Sequence, residues 1–310
     1  MKISPTIAVA LSLLVCTTSA GHSETPEEPS AYTQGILSSF DLPLNDLGER
    51  PDGNFFHRLF DGFSGNFAIG VPLDLSRDEV ITGDGFRGRT GNTPSLKATV
   101  KYNPVGAWFA AGTYYYYKDR ELQQDWNPDF SYVFGYDDWR PYTFSLVYSN
   151  YGGNRINPDR GRGQEVTEFD EGTISLGWKF PLPKKISKHF LLDQNGGIGC
   201  IVGYNVSPRF FDLETSQNRR WKQAASIGCK YTIKGSWYLN WSAFYYPKAY
   251  QKQPWDPDFT YGFGYFDWRP GTFSLQYNNY SGNAFPFRRD REGAGRFLDG
   301  ELSLSWSWSF

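Results

Sequence analysis

No stretch of this sequence stays apolar long enough to cross a membrane as a helix, which takes about 18–20 consecutive residues. Cysteine is scarce, with three in 310 residues, and Cys16 falls in the leader. The other two, Cys200 and Cys229, are too few for the disulfide framework that holds small secreted domains together. Export permits one bridge between them, and two small wall residues are the equal alternative. Histidine occurs only at His22, His57 and His189, so imidazole-based chemistry has little material. The formal net charge of −2 gives no basic face and excludes nucleic acid as an expected partner. Aromatic residues, by contrast, abound: 11 Trp, 21 Tyr and 25 Phe. Tyr and Trp in such numbers suit surfaces that are apolar at one end and wet at the other, as at a membrane–water boundary.

Residues 1–20 read as a secretory signal peptide: Lys2 at the charged start, an apolar stretch at 7–15, and Thr18-Ser19-Ala20 for cleavage. Val15 is bulkier than the small residue that precedes a lipidated cysteine. An exported chain without an apolar helix is either a soluble secreted protein or a closed barrel, because only helices and barrels satisfy every backbone group in lipid.

The sequence repeats itself. Residues 126–154 read WNPDFSYVFGYDDWRPYTFSLVYSNYGGN and residues 255–283 read WDPDFTYGFGYFDWRPGTFSLQYNNYSGN, an offset of 129 (255 less 126). Upstream, Lys101-Tyr102 matches Lys230-Tyr231 and Trp108 matches Trp237. Downstream, 172–178 matches 300–306 with the offset one shorter. The period is too long for a solenoid unit and fits a duplicated half-barrel.

Within each copy, side chains alternate with period two. At the C-terminus Leu302, Leu304, Trp306, Trp308 and Phe310 share one face, and Glu301, Ser303, Ser305, Ser307 and Ser309 the other. Phe130, Tyr132, Phe134, Tyr136 and Phe144, Leu146, Tyr148 behave alike, as do Phe259, Tyr261, Phe263, Tyr265 and Phe273, Leu275, Tyr277. A soluble sandwich buries the bulky face, whereas a membrane barrel turns it to lipid and keeps a polar interior. Connection lengths choose between them. Strands are expected at 65–73, 94–103, 106–117, 129–138, 142–150 and 170–180, then at 195–206, 223–232, 235–246, 258–267, 271–279 and 299–310. Long links at 74–93, 118–128, 151–169, 207–222, 247–257 and 280–298 alternate with tight turns at 103–105, 139–141, 233–234 and 268–270. Membrane barrels show this alternation, with short periplasmic turns and longer extracellular loops. The join at 181–194 is longer than that side usually has.

The reading is therefore an all-β, antiparallel transmembrane barrel of about 12 strands over 65–310, built from two homologous six-strand halves at about 65–180 and 195–310. Both termini fall on the periplasmic side. Residues 21–64 are a periplasmic leader or a plug segment. Glu24, Pro26, Glu27, Glu28 and Pro29 mark a disordered start, and 54–60 fits a short amphipathic helix.

The chain end, LSLSWSWSF at 302–310, resembles the terminal strand of Gram-negative outer-membrane barrels, a porin-like class. Those proteins end in Phe with aromatic residues at alternate upstream positions, and their assembly machinery reads that end. The resemblance carries this role to Trp306, Trp308 and Phe310 as the assembly signal. It is similarity to a class and covers the signal segment and about 65–310, with no specific family.

Candidate chemistry is sparse. Outer-membrane phospholipases are similar in size and strand number, but their His-x-Ser-Asn-Gly pattern is absent. Tyr148-Ser149-Asn150-Tyr151-Gly152-Gly153-Asn154 supplies Ser and Asn without His, so no enzyme is expected. Asp125, Asp129, Asp256 and Asp258 sit in Asp/Asn-Pro segments whose ordinary role is turn formation, and neither metal nor cofactor is expected. The stretch at 83–91 is glycine-rich but lacks the helix a phosphate loop needs. In the two Asp-Trp-Arg-Pro turns, Trp139 and Trp268 suit interfacial anchoring, and Pro141 and Pro270 pre-set tight turns.

Pore lining carries more information. Lys97, Lys101, Lys179, Lys230 and Glu301 fall on the inward phase, whereas lysines facing lipid would cost about 2–4 kcal/mol near the midplane. Tyr115, Tyr117, Phe244 and Tyr246 are the side chains able to narrow the lumen. Arg219, Arg220, Arg288, Arg289, Arg291 and Arg296 make extracellular loops basic, fit to meet anionic solutes or lipopolysaccharide phosphates. The expected function is a narrow passive channel for small anionic or saccharide solutes. Its expected partners are outer-membrane lipid and lipopolysaccharide, the barrel assembly machinery, and a small solute or polysaccharide. The other readings are a non-enzymatic accessory of envelope or exopolysaccharide export and a secreted soluble sugar-binding β protein.

Overall fold

A computed structural model of the chain describes residues 62–75, 77–81, 87–123, 127–138, 140–158, 165–189, 197–212, 215, 217–233, 236–253, 255–267, 269–280, 282–285, 287 and 296–309. The signal, the leader with its expected helix at 54–60, Asp125, Trp139, Trp268, Arg288, Arg289, Arg291 and Phe310 lie outside the described residues. The strands are β1 (Phe63–Pro72), β2 (Arg77–Ile81), β3 (Arg87–Gly91), β4 (Ser95–Tyr102), β5 (Trp108–Tyr117), β6 (Phe130–Asp137) and β7 (Phe144–Asn150). They continue with β8 (Thr173–Pro181), β9 (Gly197–Asp212), β10 (Gln217–Thr232), β11 (Trp237–Tyr245), β12 (Phe259–Tyr265), β13 (Phe273–Asn279) and β14 (Glu301–Ser309).

Twelve of these form one closed antiparallel barrel: β1 and β4 through β14 pair with their chain neighbours, and β14 returns to β1. Closure sets Phe67 opposite Trp306 and Ile69 opposite Leu304. The expected long link at 74–93 carries the separate hairpin β2–β3. The one expected loop that is wrong is 207–222. It is the outer half of a 16-residue hairpin in which β9 and β10 stay paired as far as Asp212 and Gln217. Arg219 and Arg220 are therefore strand residues, not loop residues. The usual strand signal fades there because Pro208 interrupts the ladder and Trp221 takes a positive φ of 61°. A short helix, α1 (Lys184–Ser187), occupies the join after β8.

The barrel is inside out relative to a soluble one. Phe67, Ile69, Leu96, Val100, Leu146, Leu176, Leu239, Leu275 and Leu304 are exposed on the outer surface. Ser64, Ser95, Ser145, Asn240, Ser242, Thr260 and Ser274 are buried on the inner phase. Such a polarity is stable only with lipid outside. Aromatic side chains gather toward both rims. Near the tight turns, Trp108 meets Tyr136 edge-on at 5.6 Å and Trp237 meets Tyr265 at 5.7 Å, positions 129 apart. Toward the long loops, Tyr148 stacks on Phe169 at 4.3 Å and Tyr277 on Phe297 at 4.5 Å.

Cys200 lies directly opposite Cys229 in the β9–β10 register and the two form a disulfide, which decides the alternative the sequence left open. Both are on the outward phase with Val202 and Ile227, so the bridge staples two strands on the lipid-facing surface.

Two glycines mark close backbone approach. A Cβ at Gly135 would lie 2.2 Å from the Leu146 carbonyl oxygen, and one at Gly264 would lie 2.3 Å from that of Leu275. Gly264→Ala is expected to destabilise the barrel by about 1–3 kcal/mol, the usual range for overpacking. A heat-modifiability gel checks this: the temperature at which the folded band converts to the slower unfolded form should fall, and an unchanged midpoint contradicts the close approach.

Candidate functional site: the barrel interior

The site begins with period two. Once β4 turns Leu96 and Val100 outward, Ser95, Lys97, Thr99 and Lys101 must face in. All five expected pore residues lie on the inward phase, and the structure adds their partners. Lys97 pairs with Glu301 across the β4–β1–β14 closure. Lys179 pairs with Asp137 at 2.5 Å. The Lys101 ammonium sits 5.2 Å from the Phe109 ring centre, and Lys230 lies over Tyr238 at 4.4 Å and Phe266 at 5.1 Å. Sequence reasoning assigned these lysines a phase but no counter-ions. Asp137 and Glu301 cancel two of the positive charges that favoured anions.

Two further buried ion pairs were missed. Lys222 of β10 meets Asp256 at 2.5 Å, and Lys252 meets Asp258. Lys222 shares the inward parity of Lys230, a signal that the mistaken loop at 207–222 concealed. Gln251 ties the same segment to β10, accepting from the Gln223 N–H at 3.2 Å and donating to the Trp221 carbonyl at 2.9 Å. Asp258 also accepts from the Phe285 N–H, as Asp129 does from Ile156. These carboxylates are thus engaged in turns and ion pairs, and among the described residues no group of three or more His, Cys, Asp or Glu is arranged to hold a metal.

The aromatic candidates line the wall. Tyr117 and Tyr246 each donate at 3.2 Å to a loop carbonyl, of Pro128 and Pro257 respectively, and Tyr115 bonds Ser131 at 3.0 Å. At the long-loop end Arg219 pairs with Asp212 at 2.6 Å, Arg220 faces Arg209 across the hairpin, and exposed Arg296 contacts Asp299. The Ser149–Asn154 segment is structural. Asn150 donates to the Glu168 carbonyl at 2.8 Å and Asn154 donates to Asn150 Oδ1 at 2.9 Å. Asn279 and Asn283 repeat both contacts with Arg296 and Asn279 at 2.8 Å each. His189 is exposed in the join after β8, away from this wall, while His22 and His57 lie outside the described residues.

The interior wall is uneven. Lys97 and Glu301 retain 25% and 29% side-chain exposure, so water reaches the wall around β14, β1 and β4. Across β11–β13 the inward side chains Asn240, Ser242, Thr260, Gln276 and Asn278 are buried. Asn240 Nδ2 and Oδ1, Ser242 Oγ, Thr260 Oγ1, Gln276 Nε2 and Asn278 Oδ1 have no protein hydrogen-bond partner. Each such group left dry costs about 1–3 kcal/mol.

The two Asp-Trp-Arg-Pro turns hold the tight-turn rim. Arg140 Nε donates to Asp138 Oδ2 at 2.9 Å and Arg269 Nε to Asp267 Oδ1 at 2.9 Å, with each arginine's own N–H donating to the same carboxylate. Those arginine hydrogen bonds hold the Asp138 carboxyl below the ordinary range and bring Asp267 down to about 2.

No protein-family model matches the chain, and no curated protein does. Solved structures that it is similar to include three with these values. Salmonella typhi OmpF in complex with daunomycin has 10% identity and a TM-score of 0.34, over 80% of this chain and 97% of that one. The Pseudomonas putida toluene transporter TodX has 10% identity and 0.28, over 88% and 92%. The outer membrane channel DcaP of Acinetobacter baumannii has 11% identity and 0.26, over 80% and 96%. At these values they decide nothing about function, and the architecture rests on this chain's own strands.

The turn carboxylates give a pH signature. A carboxylate held below its unfolded value of about 3.9 contributes stability fully above that value and loses it as pH falls through the folded one, here about 2. Asp267→Asn should therefore lower the unfolding temperature at pH 7, and the gap from wild type should close near pH 2. Thermal melts at both pH values check this, and a gap that persists at pH 2 counts against the ion pair as its source.

Proposed function

We propose that the chain is an integral outer-membrane protein of a Gram-negative bacterium and a narrow passive channel for small polar solutes. The observation that carries this is the division of faces within single strands. The same twelve closed strands show leucine and aromatic rings outside and serine, asparagine and paired charges inside. A water-soluble sugar-binding protein would bury those leucines. On this reading the tight-turn rim and both chain ends are periplasmic, the β9–β10 tip is extracellular, and the Trp and Tyr rings lie at the two lipid boundaries. Asn150, beside Ser149, serves the loop by donating to the Glu168 carbonyl at 2.8 Å.

The interior charges set the solute class. With Lys97 and Lys179 neutralised by Glu301 and Asp137, the lumen is only weakly biased toward anions and admits neutral saccharides. Purified, folded protein in a planar lipid bilayer is expected to give stepwise conductance in potassium chloride, and no channel events would overturn the reading. Glu301→Gln releases Lys97, so the reversal potential in a salt gradient should shift toward chloride. A shift toward potassium would contradict the inward pair.

A further inference from the structure

We propose that the inner wall of β11–β13 is a binding station for an uncharged, hydroxyl-rich solute, held by Asn240, Ser242, Thr260, Gln276 and Asn278. The proposal takes the channel reading only as the route by which the solute arrives.

Register brings the five together. Asn240 and Asn278 both sit opposite Gly262, one from each side, and Ser242 sits opposite Thr260. Gln276 is opposite Gly264 on the next inward row. Glycine at 262 lets the two amides close over the backbone: a Cβ there would lie 2.4 Å from Asn278 Oδ1 and 2.7 Å from Asn240 Oδ1. Both oxygens lack a donor, so two acceptors converge on one point without anything to accept from. The row continues to the wetter wall, since Asn278 is opposite Glu301. Exposure rises along it from 1% at Asn240 through 7% at Asn278 to 29% at the Glu301 side chain. The row therefore runs from the dry wall to the water-reached side of the lumen.

The unpartnered atoms name the ligand class. Asn240 Oδ1 and Asn278 Oδ1 accept only, Asn240 Nδ2 and Gln276 Nε2 donate only, and the Ser242 and Thr260 hydroxyls do both. An anion would call for donors alone and a cation for acceptors alone. A balanced, uncharged set matches sugar hydroxyls, each of which donates and accepts. The positions 129 residues earlier show that a barrel wall does not require this chemistry. There Asn240, Gly262, Gln276 and Asn278 are replaced by Ala111, Val133, Val147 and Ser149, and Ala111, Val133 and Ser149 hold the same register.

The test transfers the earlier residues into the station: Asn240→Ala, Gln276→Val and Asn278→Ser together, in the full-length folded protein. Maltotriose is the probe, read by its block of single-channel current and by saturation-transfer NMR on the detergent-solubilised protein. Wild type should bind and be blocked, and the triple variant should need about tenfold more maltotriose for the same block. Heat modifiability of the variant confirms that it folds. NMR binding that weakens in the variant, without any channel events, keeps the station and sinks the channel reading. Conductance with neither block nor NMR binding in wild type, or equal affinity in wild type and variant, overturns the station.

Discussion

Everything in this molecule depends on backbone pairing that leaves no edge. In hydrocarbon an unpaired N–H or C=O has no water to turn to, so a sheet survives there only if its last strand returns to its first. Here β14 returns to β1, and the register of that closure brings Lys97 of β4 within reach of Glu301 of β14 across β1. Closure thus fixes the fold and an interior ion pair in one step. The polarity of the faces follows: once the outside is lipid, leucine and aromatic rings must point out, and every other residue is left to define the lumen.

Much of this was legible in the sequence, because period two is a local signal. The strand 301–309 declares both of its faces in nine residues, and the alternation of tight turns with long links reported the inverted polarity. The β9–β10 hairpin was not legible beyond 206. Pro208, Arg209, Arg219, Arg220 and Trp221 break the alternation there, and only pairing with the opposite strand shows that the ladder continues. The cysteine pair was ambiguous for the same reason: 29 residues of separation become direct opposition only once the hairpin register is known.

The interior shows the same limit. The lysines could be given an inward phase from their own strands, but their partners come from elsewhere. Asp137 reaches Lys179 from another strand, and Asp256 reaches Lys222 from a loop. Convergence of Asn240 and Asn278 over Gly262 needs three strands in register. Residues 129 apart make matching contacts at the rims, in the Trp–Tyr pairs, the Asp–Arg turns and the Asn ladders, while the inner walls differ. The shared residues serve lipid contact and turns, and the divergent ones line the interior.

The central claim is that polarity is inverted within each strand, and adjacent residues of β14 test it directly. Nitroxide labels placed singly at Leu304 and at Ser303, in a Cys200→Ala, Cys229→Ala background reconstituted in lipid vesicles, report lipid and water contact by relaxation with oxygen and with a water-soluble nickel chelate. The account predicts oxygen-dominated relaxation at 304 and greater nickel-chelate access at 303. The opposite order, or two water-exposed sites, would contradict it.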